Sequence, residues 1–241
     1  MPVIKTLYSD NGRSAVIRKS IESAISDKAQ GLSYLSDELL FNLQTIKPQW
    51  EERVFALNKY LSLREKEVRE KNKALKYLRT VMRDMWVVLK RRVNRMEQPD
   101  EVLTFYQLPL SGKIPNIKKE TEILAVTAKM VIGDSLAVGA GYPAIQNPSA
   151  EELQDAITKA TKEIDDVAPA DRQYDIAQEA VEELREPVDN YIKDVIEQLK
   201  FNLRKKDTSS KRRIMRSYGI EFIYRNGESK DDDSSIQEDI D

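Results

Sequence analysis

The longest regular pattern in the chain runs from Trp50 to Met96, a stretch without glycine or proline. One row at seven-residue steps, Val54, Leu61, Val68, Leu75, Met82, Leu89 and Met96, is apolar throughout. A second row, Trp50, Leu57, Arg64, Lys71, Leu78, Met85 and Arg92, is apolar at Trp50, Leu57, Leu78 and Met85. Two such rows predict one long helix with a buried seam, over about residues 49–97. At ~1.5 Å per residue it is roughly 70 Å long. A helix of that length cannot fold back on itself, so another element must cover its seam.

The covering element is legible further on. From Ser149 to about Lys205 glycine is again absent, and Leu153, Ala160, Val167, Tyr174, Val181, Val188 and Val195 form a heptad row. Ser149 followed by Glu152 matches a capping box at its start. Pro169 and Pro187 fall inside it, and a proline removes a helical donor and crowds the preceding turn. A break near Pro169 and a bend at Pro187 are expected.

Shorter elements fill the rest. Ser9 or Asp10 caps a helix of about residues 12–29, and Gly31 interrupts the chain before a second apolar run from Leu32 to Ile46. Pro48 then marks the start of the long helix. Residues 98–117, with three prolines and Gly112, read as an ordered connector. Residues 118–138 read as a helix, 208–217 as a short basic helix, and Ile220–Tyr224 as a strand. Its expected partner is the extended N-terminus or the segment from Val102 to Leu108. The fold class is therefore all-α: an elongated bundle on two long heptad helices (49–97 and 149–205) with a minor C-terminal strand. We expect one domain over 1–228, with halves 1–97 and 118–217 joined by the connector, and an acidic tail over 229–241.

Composition narrows the chemistry. The 241 residues contain no cysteine and no histidine. Disulfides, thiolate metal sites and cysteine nucleophiles are excluded, as are triads built on Ser-His or Cys-His. A ferritin-like diiron site needs Glu-x-x-His, which the chain cannot supply. Neither a P-loop nor G-x-G-x-x-G is present. No catalytic, cofactor or metal constellation emerges, and we expect a protein that is not an enzyme and carries no cofactor. The N-terminus lacks a signal-peptide core and no run of apolar residues is long enough to span a bilayer, so a cytoplasmic location is expected.

The formal net charge of −2 hides four blocks of alternating sign. Residues 51–95 carry a net charge of +8, 151–199 of −10, 200–216 of +7, and 217–241 of −6. Two long helices of opposite charge are expected to pack on each other; charge does not decide between pairing within one chain and between chains, and the single-chain antiparallel hairpin is the simpler reading. Apolar burial at ~25 cal/mol per Å² supplies the affinity. Exposed charge pairs, at ~0.2–1 kcal/mol each, set orientation. Arg64 and Lys71 against Asp171 and Gln178 form either a polar layer fixing register or snorkelling edges.

Candidate contact residues follow from these blocks. The first basic cluster is Lys90, Arg91, Arg92 and Arg95. The second is Arg204, Lys205, Lys206, Lys211, Arg212, Arg213 and Arg216. Either could take phosphates, and either could simply satisfy helix ends and the acidic blocks. Phe105, Tyr106, Phe222 and Tyr224 are the expected assembly contacts, because apolar side chains at a strand or connector suit an added strand. The leading expectation is a non-catalytic, self-assembling helical bundle acting through protein–protein contacts, as a homo-oligomer or with a protein partner. One alternative is a nucleic-acid or anionic-membrane binder using residues 90–95 and 204–216. The other is an α-helical pore-former using the apolar segment 123–145.

Overall fold

The structure, a computed structural model, describes residues 3–5, 9–107 and 117–224. In chain order these form β1 (Val3–Ile4), α1 (Asp10–Ala29), α2 (Asp37–Asn94), α3 (Val102–Phe105), α4 (Glu120–Gly139), α5 (Ala150–Asn202), α6 (Thr208–Ser217) and β2 (Phe222–Ile223). The fold is all-α, dominated by the 58-residue α2 and the 53-residue α5. The strand expected near residue 222 is present, and of its two expected partners it takes the N-terminus. Val3 pairs with Ile223 and Ile4 with Phe222, antiparallel. Residues 108–116 of the connector and the acidic tail 229–241 lie outside the described residues.

Two expectations about prolines are corrected. α2 begins at Asp37 and runs through Pro48, absorbing the apolar run from Leu39 to Ile46. α5 passes Pro169 and Pro187 without a break. Pro48, Pro169 and Pro187 are all exposed. Each proline deprives the carbonyl four residues earlier of its helical donor. On a solvent-facing side water can take that carbonyl, so packing on the opposite face carries the helix through.

Helix ends follow local chemistry. The Ser9 hydroxyl accepts from the Gly12 amide at 3.1 Å and caps α1. Ser149 accepts from the Glu152 amide at 3.1 Å, but the Glu152 side chain accepts from the Tyr77 hydroxyl (3.1 Å) instead of completing the capping box. Gly31 and Gly219, at φ +76° and +86°, close α1 and α6 in the left-handed conformation that glycine adopts without a Cβ clash. Met96 plays the same part after α2 at φ +59°, with its side chain 93% exposed. That turn takes Met96, the last member of the first apolar row, out of the seam.

The chain divides into two compact units, Met1–Lys59 with Ile176–Asp241, and Tyr60–Asp175. The first unit packs α1, the start of α2, the end of α5 and α6 around Ile17, Leu43, Trp50, Val188, Leu199 and Tyr218. Each large apolar side chain fully buried contributes ~1.5–3 kcal/mol. The buried Trp50 indole donates to the Ser14 hydroxyl at 2.9 Å. Arg13, only 8% exposed, is held by Asp189 at 2.7 and 2.8 Å and lies 3.2 Å from Asp10. Arg185 grips Asp10 from the other side at 2.9 Å. The result is a row of alternating charge, Asp189–Arg13–Asp10–Arg185, joining α1 to α5.

The second unit buries Leu75, Leu78, Met82, Met85 and Leu89 of α2 against Ile123 and Met130 of α4 and Leu153 and Ala160 of α5. Within it α2 and α5 run antiparallel, as expected: Arg64 meets Asp171 at 2.5 Å and Tyr77 meets Glu152. The expected polar layer is half present. Lys71 turns away from α5 to Glu120 of α4 at 3.0 Å. Arg64 stays 43% exposed and stacks over the Tyr174 ring at 5.2 Å. From residue 60 to 73 of α2 and 161 to 175 of α5 no side chain is fully buried, and Leu61 and Val68 are only half-buried.

A candidate protein-contact groove beside the two-stranded ribbon

In the first unit, α5 ends at Asn202 and a short turn leads into α6. The Asp207 carboxylate starts α6, accepting from the Ser209 and Ser210 amides at 3.0 and 2.9 Å. The Ser210 side chain first, then its amide and the Ser209 hydroxyl, hold the Asp207 pKa well below the usual carboxylate range. The Schellman turn at Gly219 then sends the chain back along α1. Ser20 donates to the Tyr218 carbonyl at 3.1 Å and Ser23 to the Ser217 carbonyl at 2.8 Å. A Cβ on Gly219 would meet the Val16 backbone at 3.1 Å, so glycine also permits this close approach. The returning chain forms β2, and Lys5 locks the ribbon by its ion pair with Glu221 at 2.6 Å, which lowers the Glu221 pKa.

This geometry opens a groove of about 590 Å³ between α6, the end of α5 and the ribbon. Ile4, Val3, Met215 and Phe222 give it apolar walls, and Lys200, Lys211 and Arg212 give it basic ones. Among the described residues β1 and β2 pair only with each other, so each leaves one edge open. A second groove of about 340 Å³ shares Ile4 with the first and is lined by Ile192, Ile196 and Ile220 with Asp189 and Lys193.

The structure thus brings members of two predicted sets together: Lys211 and Arg212 from the second basic cluster, and Phe222 from the assembly contacts. Tyr224 joins them, its hydroxyl bonded to Arg216, whose guanidinium lies 5.8 Å from the ring centre. Arg204 stacks over the exposed Phe201 ring at 4.3 Å. Lys205, Lys206 and Arg213 are exposed and line neither groove. Lys200, Val3, Ile4 and Met215 were not singled out from the sequence. The pairing of β1 with β2 places Val3 and Ile4 there, and the packing of α5 and α6 places Lys200 and Met215.

The first basic cluster, in the second unit, is dispersed. Arg92 donates to the carbonyls of Pro143 and Ala144 at 2.9 and 3.0 Å, closing the turn after α4. Arg95 lies 3.9 Å from Glu97, while Lys90 and Arg91 are exposed. The two connector aromatics are inward: Tyr106 is 2% exposed, and Phe105 is half-buried against Tyr142, ring centres 6.0 Å apart. Tyr106 therefore offers no surface for assembly. The apolar segment 123–145 supplies core through Ile123, Met130 and Ala137, and none of the described helices is long and apolar enough to cross a membrane.

Carboxylates of Glu67, Glu163 and Asp166 also converge in the second unit, their oxygens within 4.8 Å of one another. Lys66 already lies 3.2 Å from Glu67. No protein-family model, curated protein or solved structure matches this chain.

Proposed function

We propose that this is a non-catalytic, self-associating helical protein, and that the groove beside the ribbon receives an acidic, partly apolar segment from a second copy. The observation that carries the reading is the coincidence in one groove of apolar walls, three basic side chains and residues of a ribbon whose strands, among the described residues, pair only with each other. An extended segment adding to a sheet edge gains main-chain hydrogen bonds, while alternate side chains find pockets. Charge complementarity supports this occupant. Residues 217–241 carry a net charge of −6, with Asp231, Asp232, Asp233, Glu238, Asp239 and Asp241 clustered at the end.

Sedimentation velocity tests the reading. The full chain is expected to associate as its concentration rises, and a chain ending after Tyr224 to remain a monomer. Addition of a peptide of residues 225–241 is expected to dissociate the full-length assembly. A full chain that stays monomeric at high concentration overturns the proposal, as does a truncated chain that associates equally well.

A further inference from the structure

The second unit carries a charged surface that neither the fold nor the groove uses. Arg69, Lys76, Arg83 and Lys90 stand at seven-residue steps on α2, flanked by Lys73 and Arg91, and all six are exposed. With 3.6 residues per turn they share one arc of the helix, on the side away from Leu75, Leu78, Met82 and Met85. Asn72, Arg79, Thr80 and Val87 complete the arc, and no Asp or Glu between residues 69 and 91 falls within it. Asp84 borders the arc beside Lys73 and Arg91, and Glu70 lies further round the flank. None of the six cations forms an ion pair with a described residue. Lys73, at the arc's margin, borders the α5 side where Glu70 and Glu163 lie.

We propose that this arc binds the phosphate backbone of duplex nucleic acid without reading its sequence. Each ~10.5 Å step along the rigid helix covers about three base-pair rises of a duplex axis, a length that carries about six phosphates on the two strands. Guanidinium groups, ammonium groups, Asn72 and Thr80 are the side-chain types that contact phosphates. Carboxylates of a second copy are a poorer match. An exposed ion pair is worth little, and a row of them does not offset the freedom two proteins lose on docking. A polyphosphate differs because each neutralised phosphate releases condensed counterions. A bilayer surface is disfavoured because the apolar face of α2 is spent on the core, which leaves Val87 as the arc's one apolar side chain. Single strands are disfavoured because the arc presents no aromatic ring for bases to stack on.

The test is fluorescence anisotropy of a labelled 24-base-pair DNA duplex of mixed sequence, titrated with the full chain. With at least four phosphates neutralised, Kd is expected to weaken ~100-fold between ~50 and ~200 mM salt. The triple variant R69Q/R83Q/K90Q, on exposed sites with an unchanged thermal melt, is expected to lower the slope of log K against log salt by ~2.7. The charge-matched control K205Q/K206Q/R213Q is expected to keep the parent slope. Absence of binding at ~50 mM salt overturns the proposal. So does equal loss in the two triples, or an arc triple that binds like the parent. Binding to phosphatidylserine vesicles without binding to the duplex also overturns it. Self-association is read separately by sedimentation, so failure here leaves the groove reading standing.

Discussion

The Tyr106 hydroxyl donates to the Asp134 carboxylate at 2.9 Å inside the second unit, and the same oxygen accepts the Ile145 amide at 3.2 Å. Asp134 is 5% exposed and Tyr106 2%. One carboxylate thus ties three segments together: the turn after α3, the middle of α4 and the loop before α5. A buried acceptor that loses a donor is left undersolvated. Tyr106→Phe is expected to cost ~1–3 kcal/mol in urea unfolding. A change under a few tenths would show that the bond contributes nothing net.

The neighbouring residue makes the same packing visible through backbone. A Cβ built on Gly133 would lie 2.7 Å from the Tyr106 Cα and 2.8 Å from the Phe105 carbonyl oxygen. Both obstacles are main chain and cannot rotate aside. In an open helix Gly→Ala gains ~0.8–1 kcal/mol. Here Gly133→Ala is expected to destabilise by ~1–3 kcal/mol because α3 must move off α4. A rise in Tm would refute that close approach.

Pro187 sits in the interior of α5 on an exposed face, so removing it restores a hydrogen bond to the Glu183 carbonyl without disturbing the core. Pro187→Ala is expected to stabilise the protein by up to ~3 kcal/mol. Denaturant unfolding reads this directly. A loss of stability would mean that the helix there is shaped by the proline and not carried past it.

Burial, and then the 2.6 Å hydrogen bond to Asp27, raise the Tyr218 phenol above its ordinary value of 10. The folded chain therefore keeps a proton that the unfolded chain releases. The phenol's contribution is complete below pH about 10 and shrinks as pH rises beyond it. Tyr218→Phe is expected to cost ~1–2 kcal/mol near neutral pH. The gap between variant and parent should narrow above pH about 10. Unfolding measured at pH about 8 and about 10.5 checks both signs, and a gap independent of pH would exclude the linkage.

Much of this architecture was legible in the chain before any coordinates. Heptad rows over long glycine-free stretches mark α2 and α5 because a buried stripe requires that period. Ser9 and Gly31 announce the ends of α1 because unpaired helix groups need a partner. Opposed charge blocks anticipated that α2 and α5 pack on each other, as Arg64 with Asp171 shows, while the antiparallel sense followed from the simpler single-chain hairpin. The prolines misled, because their cost depends on whether water can reach the freed carbonyl, and exposure is a tertiary property. The half-buried stretch through Leu61 and Val68 was equally invisible, since a row of apolar letters does not say which of them are covered.

The candidate surfaces divide the same way. The basic residues of the α6 segment stand out as letters, but the walls contributed by Val3 and Ile4 depend on a strand pairing between opposite ends of the chain. The sequence by itself determined the long helices, their polarity and the absence of cysteine and histidine chemistry, because periodicity and residue type act locally. Only the tertiary structure decided that Tyr106 faces Asp134, that Arg92 is spent on carbonyls, and that Arg69 to Lys90 face solvent. Burial, unlike periodicity, is a relation between distant segments.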